Sequence, residues 1–164
     1  MIDSMQNEEW VKEISDELAS GQYPKWPNEI MLKLIFGGDN YLSKSLKPTK
    51  DWKVLDVGCL FANNLLPFSE IGCDCYGVDI HPKMVKTAQI VADNRGIKAK
   101  FEVGHNRSLP YPDNYFDVIF SKSVIEHFHN PDFLVKEIFR SLRPGGLAII
   151  MVPSWEYNYK IYFE

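Results

Sequence analysis

Between residues 52 and 152, short apolar runs alternate with longer stretches of helical spacing, and this alternation restricts the fold more than any other feature of the chain. The runs 52–57, 73–79, 98–103, 116–121 and 147–152 read as strands. They are near-continuously apolar, as parallel strands buried on both faces are. Helices are predicted between them. One covers 63–71, interrupted or restarted at Pro67, and one covers 82–95, closed by Gly96. A third covers 131–142 and is turned into the last strand by Pro144-Gly145-Gly146. Strands joined through helices require right-handed crossovers and a sheet covered on both sides. The expected fold class is therefore α/β, a doubly wound, mostly parallel sheet.

Two amphipathic helices are predicted upstream, over 3–20 (Trp10, Val11, Ile14 and Leu18 at helical spacing) and 27–36. They make a helical extension over 1–48 in front of a core over 50–153, with a tail over 154–164. The 164 residues suffice for a single domain. Hydrophobic residues make up 45% and charged residues 24%, which excludes a disordered chain. A net charge of −4 argues against non-specific nucleic-acid binding. No run reaches the roughly 18 apolar residues of a membrane span. The acidic start, Met1 to Glu9, lacks the basic and apolar regions of a signal peptide. Three cysteines do not make a disulfide framework, so the expected location is the cytoplasm.

In folds of this type, ligands sit beyond the carboxyl ends of the strands, where strand order reverses. Asp56-Val57-Gly58 closes the first strand, and Asp79 closes the second, 23 positions after Asp56. A carboxylate about 20 residues beyond a glycine loop suits a nucleotide ribose, because it accepts two adjacent hydrogen bonds. Asp79 is equally suited to holding the start of the helix near Pro82. The loop Gly58-Cys59-Leu60-Phe61-Ala62-Asn63 keeps only the first glycine of a dinucleotide fingerprint, which weakens the case for a nicotinamide-dependent oxidoreductase.

Four segments in order carry a more specific signal. They are Val54-Leu55-Asp56-Val57-Gly58-Cys59, Gly77-Val78-Asp79-Ile80, Leu109 to Ile119, and Glu137 to Gly146. Together they resemble the class I S-adenosylmethionine-dependent methyltransferases, in the broad small-molecule group. The resemblance implies roles residue by residue. Asp56 and the Gly58 backbone line the methionine end of the cofactor, with Cys59 among the binding residues. Asp79 holds the ribose and Ile80 packs on the adenine. His105 and Asn106 meet the adenine edge, and Ser121 lies near the methyl sulfur with Lys122 beside it. The chain departs from the family pattern in two places. Leu60 and Ala62 replace loop glycines, where a Cβ hinders close backbone approach. His105 replaces a common Asp, leaving one neutral ring nitrogen as the acceptor for the adenine amino group.

Glu126, His127 and His129 follow the fourth strand. Glu126 and His127 are the catalytic candidates, with His127 as general base; holding the loop is the competing role. Some methyltransferases hold a divalent metal here with Glu-x-x-Glu-His. Ser123 stands at the first Glu position, so no metal site is assigned. Cys73 and Cys75 are read as buried structural thiols.

The expected activity is methyl transfer from S-adenosylmethionine to a small or medium-sized acceptor. The alternative is a non-catalytic methyltransferase-like binding or regulatory subunit. The family continues past the fifth strand into two further strands, and the residues after Ile150 are too few for both. An incomplete acceptor site is therefore expected, with the open edge of the last strand covered by a second copy of the chain.

Overall fold

The computed structural model describes residues 47–153; the expected helices over 3–20 and 27–36 and the tail over 154–164 lie outside the described residues. Five strands appear where the alternation predicts them. They are β1 (Lys53–Val57), β2 (Asp74–Asp79), β3 (Ala99–Val103), β4 (Phe116–Lys122) and β5 (Leu142–Met151). All neighbours pair in parallel, in the order β3-β2-β1-β4-β5.

Alternate residues of β1 supply opposite cores. Val54 packs on one face with Cys75, Val118 and Phe120. Leu55 packs on the other with Tyr76, Val78 and Ile119. Helices α1 (Leu66–Ile71) and α2 (Pro82–Arg95) cover the first face through Phe68, Ala88 and Ala92. Helix α3 (Asp132–Ser141) covers the second through Leu134 and Ile138. Each fully buried Phe or Leu stabilises this arrangement by about 1.5–3 kcal/mol. The thiols of Cys73 and Cys75 are unpaired and buried among these side chains, as read from the sequence.

The helices begin and end for local reasons. Residues 63–65 form one 3-10 turn, and α1 starts afresh with Pro67 in its first turn, where a missing N–H costs nothing. Helix α2 carries Pro82 in its first turn and ends at Gly96, whose φ of +67° favours glycine. Arg140 on α3 donates to Glu137 on the same helix, to Asp113 and to the carbonyl oxygens of Tyr111 and Leu109. Glu137 Oε2 in turn accepts the Leu109 N–H at 2.7 Å. Two of the segments noticed in the sequence, 109–119 and 137–146, are thus tied together by one guanidinium. Charge-assisted bonding from Arg140 holds the Glu137 carboxyl below its ordinary pKa.

Pro144-Gly145-Gly146 does not separate helix from strand as expected. The segment lies within β5, as an irregularity between the pairs Phe116–Leu142 and Val118–Leu147. Asp117 steadies it, accepting from the Lys53 N–H at 2.8 Å and pairing with Arg143 at 2.7 Å. Among the described residues β5 forms one edge of the sheet, and no helix is long and apolar enough to cross a membrane. Strand order reverses between β1 and β4, so the crevice lies over their carboxyl ends.

Candidate active site

A cleft of about 710 Å³ opens over that reversal point, within the ~300–1,000 Å³ typical of cofactor and small-molecule sites. Its floor is the loop after β1. The N–H groups of Gly58 and Cys59 both donate to Val78 O, at 2.8 and 3.1 Å, which staples the loop to β2. Gly58 has φ +73°, and a Cβ placed on it would lie 2.3 Å from Cγ2 of Val124, in the loop after β4. Only glycine lets the two loops meet.

The two departures from the family's glycine pattern keep a glycine-like backbone. Leu60 has φ +44° and Ala62 has φ +59°. Both are left-handed, a conformation that disfavours residues with a Cβ. Ala62 is fully buried, whereas Leu60 is 45% exposed and lines the cleft. Phe61 is buried and also lines the cleft, which keeps its volume of about 710 Å³ with both side chains in place.

Asp56 lies beneath the floor, fully buried, and does not line the cleft. Its Oδ2 accepts from Asn64 Nδ2 at 3.1 Å, while Oδ1 has no hydrogen-bond partner among the described residues. Burial pushes the carboxyl up to about 7, tempered by the Asn64 hydrogen bond and the charge of Lys122. Asp79 lies at the wall of the cleft, and its Oδ1 accepts the His81 N–H at 3.0 Å at the entry to α2. The other oxygen takes no hydrogen bond among the described residues, so the helix-entry role and a ligand role coexist in one carboxylate. Ile80 is 43% exposed in the same wall, where it presents an apolar surface to the cleft.

Gly104 packs tightly, since a Cβ there would lie 2.5 Å from Val78 Cγ2. His105 and Asn106 follow in the wall. The sequence left one ring nitrogen of His105 to accept from adenine. In the structure Nδ1 accepts the Arg107 N–H at 3.3 Å, so the neutral ring offers a donor, Nε2–H, instead. Ser121 is buried, its Oγ has no hydrogen-bond partner among the described residues, and it does not line the cleft, whereas Lys122 does. Residues 125–127 form a 3-10 turn that brings His127 to the wall and leaves Glu126 exposed and away from it. His129, also exposed, is not in the wall either.

Three wall or floor residues carried no assignment from the sequence. Asn64 is the partner of Asp56, and its signal was a polar pair, Asn63-Asn64, at the start of an otherwise apolar helix. Arg95 reaches Asn63 Oδ1 from the far end of α2, a contact across 32 residues that no local pattern announces. Phe128 follows His127 into the cleft, an apolar residue without chemistry of its own to single it out in the sequence.

The donor set fits a nucleoside joined to an amino acid. One carboxylate oxygen is unused at the end of β2, the exposed apolar side chain of Ile80 follows it, and the loop after β1 lines the floor with Gly58, Cys59 and Leu60. A methyltransferase-domain model matches residues 55–150, more than half of the chain. The chain belongs to the class I S-adenosylmethionine-dependent methyltransferase family. Methyltransferase relatives include ajmaline N-methyltransferase from Rauvolfia serpentina, 34% identical over 62% of this chain and 36% of the relative. A ubiquinone biosynthesis O-methyltransferase from Azorhizobium caulinodans is 31% identical over 70% of this chain and 44% of its own. The solved structure of YcgJ from Bacillus subtilis superposes with a TM-score of 0.61 at 31% identity, covering 65% of this chain and 46% of that one. A methyltransferase from Aquifex aeolicus shares the fold, with a TM-score of 0.62 at 21% identity over 83% of this chain and 71% of that one. The matched region thus spans less than half the length of the two enzyme relatives.

Proposed function

We propose that this chain carries the S-adenosylmethionine-binding core of a methyltransferase acting on a small or medium-sized acceptor, in the cytoplasm. The observation that carries the reading is Asp79, with one unused carboxylate oxygen beside the exposed Ile80, in the wall of the cleft that opens over the reversal point. Three buried, unpaired thiols are in keeping with a reducing compartment.

When bound, S-adenosylmethionine supplies an electrophilic methyl carbon on a cationic sulfur. Asp79 receives the ribose hydroxyls on its unused oxygen, and Ile80 offers the flat apolar surface for the base. Asp56, beneath the floor, holds the loop after β1 through Asn64 rather than touching the methionine part. Gly58 and its neighbours give the backbone that lets the reacting end approach, which supplies orientation. His127 takes and holds the proton released from the acceptor heteroatom, by general base catalysis. The relatives' names include both an N- and an O-methyltransferase, and a base at His127 serves either atom.

Calorimetric titration with S-adenosylmethionine and with its demethylated product, S-adenosylhomocysteine, tests the reading. Micromolar binding of both is expected, and no binding at millimolar ligand defeats it. The alternative, a scaffold without catalysis, draws on the left-handed Leu60 and Ala62. It predicts cofactor binding without any methyl transfer when labelled cofactor is incubated with a cell extract.

A further inference from the structure

The carboxyl end of β4 holds a charge that the cofactor reading leaves unused. Lys122 is the last residue of β4, one step past the Val57–Ser121 pair, and it lines the cleft. It is half-buried, and no ion pair forms at it among the described residues. Successive strand residues point to opposite faces, so Lys122 shares a face with Phe120, which pairs with Asp56. Asp56 is the acid whose field Lys122 feels. That carboxyl is itself pushed up to about 7 by burial and lies under the floor, so it offsets the ammonium only in part.

Around the floor, formed by the loop after β1 with Asn63, Asn64 and Arg95, the wall of the cleft has two sides. The ends of β2 and β3 supply Asp79, Ile80, His105 and Asn106, the half assigned to the nucleoside. The side beyond β4 is lined by Lys122, Ser123, Val124, His127 and Phe128, with no acid among the described residues; Glu126 is exposed and is not in the wall. An acceptor entering this half meets one ammonium flanked by the apolar side chains of Val124 and Phe128. Partial burial strengthens an ion pair formed there and penalises the ammonium if it is left alone.

We propose that Lys122 is a specificity-determining residue that selects acceptors bearing a carboxylate. This rests on the methyltransferase reading of the cleft. A single ammonium matches a single negative charge, whereas a phosphate dianion calls for several converging donors. The carboxylate is a handle here, not the methylated atom. Pairing it with Lys122 fixes one end of the acceptor and leaves its nucleophilic atom to His127.

The test uses the full 164-residue chain saturated with S-adenosylhomocysteine and two matched pairs of probes, benzoate with benzamide and phenylacetate with phenylacetamide. Binding is measured by calorimetry. The acids are expected to bind about tenfold or more tighter than the amides. Lys122→Met should reduce that preference to about twofold or less, with S-adenosylhomocysteine affinity within about twofold of the parent. Lys122→Arg should retain the preference, and Lys122→Glu should shift it toward benzylamine. Thermal melting of each variant confirms that it is folded. Equal binding of acid and amide, or no binding of either, overturns the proposal. So does a Lys122→Met variant that loses S-adenosylhomocysteine, which would assign the ammonium to the cofactor's own carboxylate. If the unmutated chain does not bind S-adenosylhomocysteine, the methyltransferase reading fails first, and that titration is read separately.

Discussion

Asn64 donates from Nδ2 to Oδ2 of Asp56 at 3.1 Å, and the second oxygen of that fully buried carboxylate has no partner among the described residues. The imbalance gives the protein a pH dependence with a definite sign. Burial raises the Asp56 carboxyl from an ordinary 3.8 to about 7. The folded state therefore holds a proton that the unfolded state has released, and stability falls as pH rises through the window from 3.8 to about 7. The slope is about 1.4 kcal/mol per pH unit within that window. Urea melts of Asp56→Asn and of the parent at pH 5 and pH 8 check it. The variant should gain on the parent at the higher pH, and a constant difference between them would remove the argument.

Gly58→Ala should be destabilising for two separable reasons. The left-handed backbone costs a residue with a Cβ about 1–2 kcal/mol, and the approach to Val124 at 2.3 Å adds an overpacking cost of about 1–3 kcal/mol. Combining it with Val124→Ala removes the second cost and leaves the first. The double-mutant cycle should therefore show a coupling of about 1 kcal/mol or more. Strict additivity would mean that the two loops do not constrain each other.

Leu60→Gly should relieve the left-handed strain at φ +44°. Glycine also loses more chain entropy on folding, so the net gain in stability is at most about 1 kcal/mol. Because Leu60 lines the cleft, the same change should raise cofactor affinity. Paired melting and titration experiments check this. A loss of affinity would show that the isobutyl group is itself a ligand contact.

Asp79→Ala should weaken S-adenosylmethionine binding by about 2–4 kcal/mol through the loss of two charge-assisted hydrogen bonds. The structure adds a cost in stability of about 1 kcal/mol, because Oδ1 also accepts the His81 N–H. Asp79→Asn keeps an acceptor for that N–H and should restore the stability without restoring the affinity. If both variants bind the cofactor normally, Asp79 serves only the helix entry.

The strands were legible because burial on both faces writes itself as an unbroken apolar run, as in Val54-Leu55 and Val118-Ile119-Phe120. The restart at Pro67 and the stop at Gly96 were legible because proline and glycine act locally. Pro144-Gly145-Gly146 misled for the same reason. Its turn chemistry is local, but the free edge of β4 and the Asp117–Arg143 pair hold it in the strand from a distance. In the cleft, residues ending a strand were placed by counting from it, as for Asp79 and Ile80. Counting cannot give a side chain's direction. Ser121 and Lys122 are neighbours on alternating faces, and only Lys122 reaches the cleft. Nor could it show that Leu60 and Ala62 adopt glycine's backbone, because Gly58 and the Val78 carbonyl that staples the loop impose that conformation from outside.

His127 and Glu126 separate in the same way. They share one 3-10 turn, but His127 lines the cleft and Glu126 does not. Once an acceptor is in hand, His127→Ala should lower kcat by about 10²–10⁴-fold, the usual worth of a general base, with cofactor affinity little changed. Glu126→Gln should leave kcat within about threefold, since its side chain does not line the cleft. Cofactor titration, melting and a pH profile on both variants distinguish the roles. Equal losses of stability and binding in His127→Ala, with the pH profile unmoved, would make His127 a residue that holds the loop.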